Sequence, residues 1–424
     1  MRRTVTVVTV GCKANFADSA EIASRALRAG LEVVRFGSPA DVVVINSCTV
    51  THRADRDSRA LARKVRRGSP GAVIVMAGCY ARTAMEGPRV LPEVDHWIGI
   101  DDAGALESLL RSLAGGVAAR EAPSSGYAMD RLLGRTRALL KIQDGCDAVC
   151  AYCIVPMARG GSRSVPAVEV IDWARRAEAD GARELVLTGI HVGRYGVERG
   201  ERDGLAALLE TLLSATTKCR YRLGSLEPLD ITWRLVSLLA SERRICPHLH
   251  VPMQSGSDAV LRRMRRPYTA RQYRERLHLL STEIPGIRLG ADVIAGFPGE
   301  SERDFGDTMA SIGGSPLSYL HAFPYSPRKG TESAAWPDDV PVAQKKARVR
   351  RLREADGAIR ERYLGSQVGR TLSVVVEARS GNGGFRGTSE NYAEVWFRAD
   401  DVRQGDVVPV RILSVRGGKL RGRV

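Results

Sequence analysis

Three apolar, β-branched segments near the start of the chain, "TVTVVTV", "DVVVINS" and "AVIVMAG", alternate with the helical stretches "DSAEIASRALRAG" and "RADRDSRALARKVRR". This alternation predicts a parallel sheet with crossover helices over the first 115 or so residues. Each strand ends in a loop with a cysteine: Cys12, Cys48 and Cys79. In an open parallel sheet the carboxyl ends of the strands share one edge, where ligands collect. Three thiols far apart in sequence are therefore expected to converge in space.

The stretch "AGGVAAREAPSSGYAMD", Ala114 to Asp130, is small, polar and aperiodic, and reads as a linker. Beyond it the alternation resumes with "RALLKIQ", "ELVLTG", "YRLGS", "HLHVPM", "GIRLGADVIAG" and "SYLHAFPYS". Six strands with intervening helices predict a closed or partial βα barrel, whose chemistry belongs at the strands' carboxyl ends. A charged helix, "VAQKKARVRRLREADGAIRERY", follows, its basic face read as solvated. The period then falls to two in "TLSVVVEA", "YAEVWFRA", "DVVPVRILSV" and "KLRGRV", which predicts a small antiparallel barrel of the oligonucleotide-binding type. The expected domains are thus 1–115, 132–362 and 365–424.

Composition narrows the partners. Lys and Arg total 64 against 48 Asp and Glu, a formal charge of +16. That balance favours a polyanion, nucleic acid before membrane, with an arginine-rich composition of no binding role as the bland alternative. No apolar run is long enough to span a bilayer. "MRRTVTVVTVG" faintly resembles a secretory start, but its threonines and β-branched alternation fit a first strand better. Eight cysteines in 424 residues do not make a disulfide scaffold; their clustering points to reduced, metal-bound thiols and a cytoplasmic protein.

"KIQDGCDAVCAYCIVP" sets Cys146, Cys150 and Cys153 in a Cys-x3-Cys-x2-Cys array in the loop after the first barrel strand. A structural zinc or an ordinary electron-transfer cluster takes four protein ligands, and no fourth cysteine follows until Cys219. A cluster held by three thiolates leaves one iron free for a ligand that is not protein. The array, with Tyr152 before its last cysteine, resembles the radical S-adenosylmethionine signature.

Other segments extend the resemblance. "GCKANFADS", "INSCTVTHRADRDS" and "AGCYAR", then "LTGIHVGRYG", "SLEP", "HLHVPMQSGSDAVLRRM", "ADVIAGFPGESERDF" and "HAFPYSPRKGT", then "GRTLSVVVE" and "GTSENYAEV", are similar to the methylthiotransferase family in order along nearly the whole chain. That resemblance implies an N-terminal methylthiotransferase domain, a radical S-adenosylmethionine barrel and a C-terminal RNA-binding TRAM domain. It implies two 4Fe-4S clusters, one on Cys146, Cys150 and Cys153 and a second on Cys12, Cys48 and Cys79, with S-adenosylmethionine as cosubstrate. Cys219 and Cys246 match no ligand motif and are expected in the core.

Candidate cofactor contacts are Tyr152, Thr188 and Gly189, Glu227, Gln254 and Ser255, and Asp292, whose carboxylate at an apolar strand end requires a partner. Surface solvation is the competing reading for Glu227, and a tight turn for the glycines of "LTGIHVGRYG". His191, His248 and His250 are read as packing or loop residues, and no catalytic residue is assigned beyond the cluster ligands. Arg159 and Arg163 are read either as contacts to substrate phosphate or as parts of a solvated loop. In the barrel, Phe385, Tyr392 and Trp396 are candidates for stacking on RNA, against a core role.

The resemblance implies a tRNA methylthiotransferase acting beside the anticodon, reduced by a donor such as flavodoxin or ferredoxin. Lys13 after the first cysteine and Thr49, Val50 and Thr51 after the second are most similar to the branch acting on N6-threonylcarbamoyladenosine. The alternatives are the branches for isopentenyladenosine and for an aspartate of a ribosomal protein, and, from another class, a non-catalytic iron–sulfur protein that binds RNA or senses redox state. A chain ending near Gly365 is expected to keep both clusters and lose tRNA affinity.

Overall fold

The computed structural model describes residues 2–85, 91–117, 126–380 and 383–424. They form two compact units, the first comprising Met1–Ala148, Cys153–Asp180 and Thr188–Ile190, and the second Val149–Tyr152, Gly181–Leu187 and His191–Val424.

The first unit opens with β1 (Thr4–Thr9), α1 (Lys13–Arg28), β2 (Glu32–Val33), β3 (Val42–Ser47), α2 (His52–Gly68), β4 (Val73–Gly78), α3 (Cys79–Ala84), β5 (His96–Gly99) and α4 (Ala103–Ala114). The sheet is parallel, in the order β2-β1-β3-β4-β5. Every residue of β3 is buried, which explains its unbroken apolar run: helices cover both faces. Val42 and Val44 pack with Ala23 and Ala26 of α1 and Leu110 of α4. Val43 and Ile45 turn the other way, toward Ala62 and Val65 of α2. The unit continues with α5 (Gly126–Leu132), β6 (Ala138–Lys141), β7 (Gln143–Asp144), α6 (Val155–Arg159), β8 (Arg163–Ser164) and α7 (Ala167–Ala179). The far end of the expected linker is therefore helix, with Tyr127 and Met129 buried; residues 118–125 of it lie outside the described residues.

The second unit contains β9 (Glu184–Thr188, its last residue counted with the first unit), α8 (Gly204–Ala215), β10 (Arg220–Leu223), α9 (Trp233–Ser241), β11 (His248–His250), α10 (Asp258–Arg263), α11 (Ala270–Glu283), β12 (Arg288–Ala295), α12 (Glu302–Gly313), β13 (Tyr319–Pro324) and α13 (Val342–Gly365). Strand β9 pairs in parallel with β10, isolated parallel bridges join the β10 segment to β11, and β12 and β13 follow in register. The result is an arc of parallel strands, the partial barrel wall expected from the βα pattern. Leu249, Leu289, Ala291, Val293 and Leu320 are buried on one face of it.

The chain ends in β14 (Thr371–Arg379), β15 (Phe385–Ser389), β16 (Glu394–Arg398), β17 (Val407–Arg416) and β18 (Lys419–Arg423), closed in the order β14-β15-β16-β18-β17. The small barrel expected from the sequence is antiparallel in four of its five pairings, and β16 and β18 run parallel. A ring of five strands cannot alternate direction throughout, so closure requires at least one parallel pair. Val374, Val376, Phe385, Val395, Phe397, Ile412 and Leu420 fill its centre. No helix among the described residues is long and apolar enough to cross a membrane.

Candidate cluster and cofactor site

Cys12, Cys48 and Cys79 follow β1, β3 and β4, three adjacent strands, at their carboxyl ends. Cys12 is exposed, and Cys48 and Cys79 are buried. Gly11, with φ of +127°, lets the β1 loop close on Cys48: a Cβ there would lie 2.7 Å from the Cys48 Cβ and 3.1 Å from its sulfur. Burial pushes the Cys79 thiol up to about 12, against the pull of Arg159; Cys48 and Cys12 are close enough to add to the rise. Burial raises Cys48 as well. The three strand-end thiols thus converge as the sheet topology requires.

Arg159 holds this edge together and fits neither reading made from sequence. Its side chain is 4% exposed. Nε donates to Cys79 Sγ at 3.2 Å, Nη2 to Asn15 Oδ1 at 3.0 Å and Asp18 Oδ2 at 2.8 Å, and Nη1 to Asp144 Oδ1 at 2.9 Å. It is therefore neither a solvated loop residue nor free to meet a phosphate. Asn15, one turn into α1, accepts from Cys12 Sγ at 3.2 Å and donates to the Ser47 carbonyl at 2.9 Å. Asp18 also pairs with Lys141. Burial favours a neutral Asp144, but Lys141 and Arg159 outweigh it and hold the carboxyl at about 2. Sequence reading missed Asn15, Asp18 and Asp144; a carboxylate one turn beyond Asn15 in "GCKANFADS" was the available signal.

In the second triad, Gly145, with φ of +70°, brings the chain against Gly161, whose carbonyl oxygen would be 1.9 Å from a Cβ. Cys146 N–H donates to the Gly160 carbonyl at 3.0 Å, which fixes the start of the cysteine loop. Cys150 Sγ accepts from Arg266 Nη1 at 3.1 Å, and Arg266, 9% exposed, also pairs with Glu227 and stacks on Tyr268. Glu227 is thus an ion-pair partner rather than a solvated surface group, and Arg266 is a further residue that sequence reading missed. Tyr152 meets Phe297 edge to face at 6.2 Å. Arg163 is exposed and ties its own loop by donating to the Gly161 and Arg159 carbonyls.

The remaining candidates divide. Thr188 is buried, and its carbonyl accepts from Ile142 N–H; Gly189 lies against the Gln143 backbone, and Ile190 N–H donates to Gln143 Oε1. Gln254 has φ of +61°, a conformation rare for a residue with a side chain, and its backbone is held by Asp292 and Ile294. Ser255 is buried, its hydroxyl in contact with Thr308 Oγ1 at 3.2 Å and with Ser257 N–H at 3.2 Å. Asp292 has the partners its position demanded, His250 at 3.0 Å and His321 at 3.1 Å. His191 pairs with Asp230 at 2.6 Å, and His248 with Tyr319 at 2.8 Å. Cys219 and Cys246 are buried core residues, as expected. Of the branch residues, Lys13 opens α1, Thr49 bonds Asp55 at 2.9 Å, Thr51 caps α2, and Val50 is exposed.

Among the barrel aromatics, Phe385 is core and Tyr392 packs on His248 and beneath Arg222, so neither offers a face for stacking. Trp396 points outward, with Lys419 and Arg421 each 5.0 Å from its ring centre.

Cys79 and Cys150 each have a buried guanidinium beside the sulfur. That donor set fits a thiolate-bound iron–sulfur cluster whose negative charge the arginine offsets. Residues 4–99 match the Uncharacterized protein family UPF0004, and residues 140–312 the Radical SAM superfamily. A threonylcarbamoyladenosine tRNA methylthiotransferase, MtaB, of Bacillus subtilis is 36% identical over 97% of this chain and 94% of its own. A protein of the same name from Aquifex aeolicus is 34% identical over 91% and 95%. A tRNA-2-methylthio-N(6)-dimethylallyladenosine synthase of Syntrophotalea carbinolica is 33% identical over 98% of each. Among solved structures, the radical S-adenosylmethionine methyltransferase TsrM of Kitasatospora setae superposes with a TM-score of 0.55 over 78% of this chain and 75% of that one, at 14% identity, a likeness of fold. With relatives above 30% identity along nearly the whole of both sequences, the chain belongs to the radical S-adenosylmethionine methylthiotransferase family.

Proposed function

We propose that this enzyme places a methylthio group on carbon 2 of N6-threonylcarbamoyladenosine next to the anticodon of tRNA. In this reading residues 1–115 hold the auxiliary cluster on Cys12, Cys48 and Cys79, residues 132–362 hold the S-adenosylmethionine-cleaving cluster on Cys146, Cys150 and Cys153, and residues 365–424 bind RNA. The observation that carries it is the pair of three-thiol sets, each short of the fourth ligand a purely structural cluster would take. When bound, the clusters and S-adenosylmethionine supply the one-electron chemistry, the sulfur and the methyl group.

The chain's own residues hold that chemistry in place. Arg159 fixes Cys79 and Arg266 meets Cys150, each adding a positive charge next to a thiolate ligand. Tyr152 and Phe297 form apolar packing beside the cysteine loop. The electron donor is a low-potential carrier such as flavodoxin or ferredoxin, and the reaction takes place in the cytoplasm.

The choice of substrate rests on the names of the Bacillus and Aquifex relatives and on Lys13 and Thr49 to Thr51. Mass spectrometry of tRNA nucleosides from cells lacking the gene tests it. 2-Methylthio-N6-threonylcarbamoyladenosine should vanish and its unthiolated precursor accumulate, with isopentenyl-type methylthiolation and the mass of the ribosomal protein unchanged. Loss of either of those instead would assign the chain to another branch.

A further inference from the structure

His250, Asp292 and His321 stand on three neighbouring strands, β11, β12 and β13, with Asp292 and His321 directly paired in register. His250 Nε2 lies 3.0 Å from Asp292 Oδ1, and His321 Nδ1 lies 3.1 Å from the same oxygen. The three ligand atoms, one per residue, all fall within 4.8 Å of one another. Neither thiol triad uses them.

We propose that His250, Asp292 and His321 bind one divalent transition-metal ion. Two imidazoles and one carboxylate are a donor set that suits zinc, iron(II) or a similar ion and leaves coordination positions open. With metal–ligand bonds of about 2.0–2.2 Å, two ligand atoms at a tetrahedral or octahedral edge stand about 2.8–3.6 Å apart. Two of the three separations, 3.0 and 3.1 Å, are such edges, and the two imidazole nitrogens lie within 4.8 Å of each other.

The surroundings support metal binding. Tyr319 Oη lies 3.1 Å from His250 Nδ1 and 2.8 Å from His248 Nε2. A Tyr319 hydroxyl that donates to His248 and accepts from His250 Nδ1–H makes the His250 Nε2 lone pair available to an ion once Nε2 gives up the proton it shares with Asp292, the arrangement in which a ligating histidine is oriented by its other nitrogen. Gly290 leaves the space that the Tyr319 ring fills, since a Cβ there would lie 1.9 Å from the ring. Burial pushes the Asp292 carboxyl up, but its hydrogen bonds to His250 and His321 outweigh that and keep it well below the usual carboxylate range, so it is anionic. The two guanidiniums stacked on Tyr319, Arg288 and Arg360, are turned toward the Tyr392 carbonyl and Asp356. His250 is buried, whereas the His321 side chain is 49% exposed, which gives an ion an entry path and an open side. All three ligands sit on strands rather than loops, so their geometry is set by the sheet.

The test uses the full chain with both clusters reconstituted, so that iron occupies the cysteines. Zinc is added, excess is removed by gel filtration, and zinc and iron are counted per chain for wild type, His321→Ala and His250→Ala. Wild type should retain about one zinc beyond its full iron, and each variant should bind it at least tenfold more weakly with iron content unchanged. X-ray absorption of the wild-type zinc should show nitrogen and oxygen ligands at about 2.0–2.2 Å and no sulfur at about 2.3 Å. This spectrum stands even if a variant folds poorly. No zinc beyond the iron sites, a sulfur-ligated zinc, or undiminished binding in a well-folded His321→Ala protein would each overturn the proposal and leave the three side chains joined by protons alone.

Discussion

Arg159 joins groups as far apart in sequence as Asn15 and Asp144, and its removal should be felt first at Cys79. Leucine at this position would leave Asp18 and Asp144 to Lys141 alone and take a positive charge from beside the auxiliary site. Arg159→Leu should therefore lose up to about half of the protein's iron, as equal ligand counts for two 4Fe-4S sites dictate. Any auxiliary cluster that remains should have a more negative reduction potential, because the reduced form carries the extra negative charge. Arg159→Lys, which keeps the charge without the planar fork, should fall between. Iron analysis and a redox titration followed by electron paramagnetic resonance check both; an unchanged potential in the leucine variant would remove Arg159 from this role. Asp144 gives a pH signature in the same network. Its folded value of about 2 lies below the ordinary 3.8, so its contribution is complete above pH 4 and disappears as the pH falls toward 2. In the iron-free protein, Asp144→Asn should cost about 2 kcal/mol near neutral pH. The gap between the two urea midpoints should close between pH 4 and 2, and a gap independent of pH would mean that Asp144 acts through packing alone.

At the scale of elements, β16 shows what a period-two strand discloses. In "EVWFR" Val395 and Phe397 face the barrel core and Trp396 faces out, an alternation readable without coordinates. The positions of Lys419 and Arg421 on β18, each 5.0 Å from the Trp396 ring, were not readable, because the parallel pairing of β16 with β18 sets them. With Lys419 and Arg421 against its ring, this face is better suited to meeting phosphates through those two cations than to stacking bases on Trp396. Lys419→Ala with Arg421→Ala should lower the slope of log affinity for tRNA against log salt by roughly two. If Trp396→Ala alone abolished binding and left that slope unchanged, base stacking would be the dominant contact. The same contrast runs through the first unit. Cys12, Cys48 and Cys79 were legible because each follows an apolar strand, and a triple Ala variant should lose about half the iron yet still form 5′-deoxyadenosine. Cys146, Cys150 and Cys153 changed to Ala should abolish 5′-deoxyadenosine formation under dithionite. Strands β2 and β5, two and four residues long, carry too little pattern to be seen, and the role of Arg159, singled out for other reasons, was not readable because its partners are assembled only by the tertiary fold.

At the scale of the whole molecule, the C-terminal barrel is bound into the second unit by buried arginines. Arg220 donates to the Ser373 carbonyl at 2.8 Å and the Thr388 carbonyl at 3.2 Å. Arg222, fully buried, donates to the Glu390 carbonyl at 2.9 Å and the Ser389 carbonyl at 3.0 Å. Arg288 donates to the Tyr392 carbonyl at 2.5 Å. One buried carboxylate, Glu184, pairs with both Arg220 and Arg222, so the barrel's carbonyls complete a site where charge is otherwise unbalanced. This changes the expectation for a chain ending near Gly365. Such a chain would lose tRNA affinity, but it would also leave several charge-assisted hydrogen bonds unmade, each of about 1–3 kcal/mol. The Gly365 truncation should therefore unfold at a markedly lower temperature than the full chain, and its loss of tRNA binding cannot by itself be assigned to RNA contacts. Lys419→Ala with Arg421→Ala should instead keep the full chain's melting temperature within a few degrees, because surface changes away from buried networks usually cost less than about 0.5 kcal/mol. Calorimetry of the two proteins side by side separates the roles: a truncated chain as stable as the intact one would mean that the barrel is an independent module tethered to the arc of strands and contributes nothing to its stability.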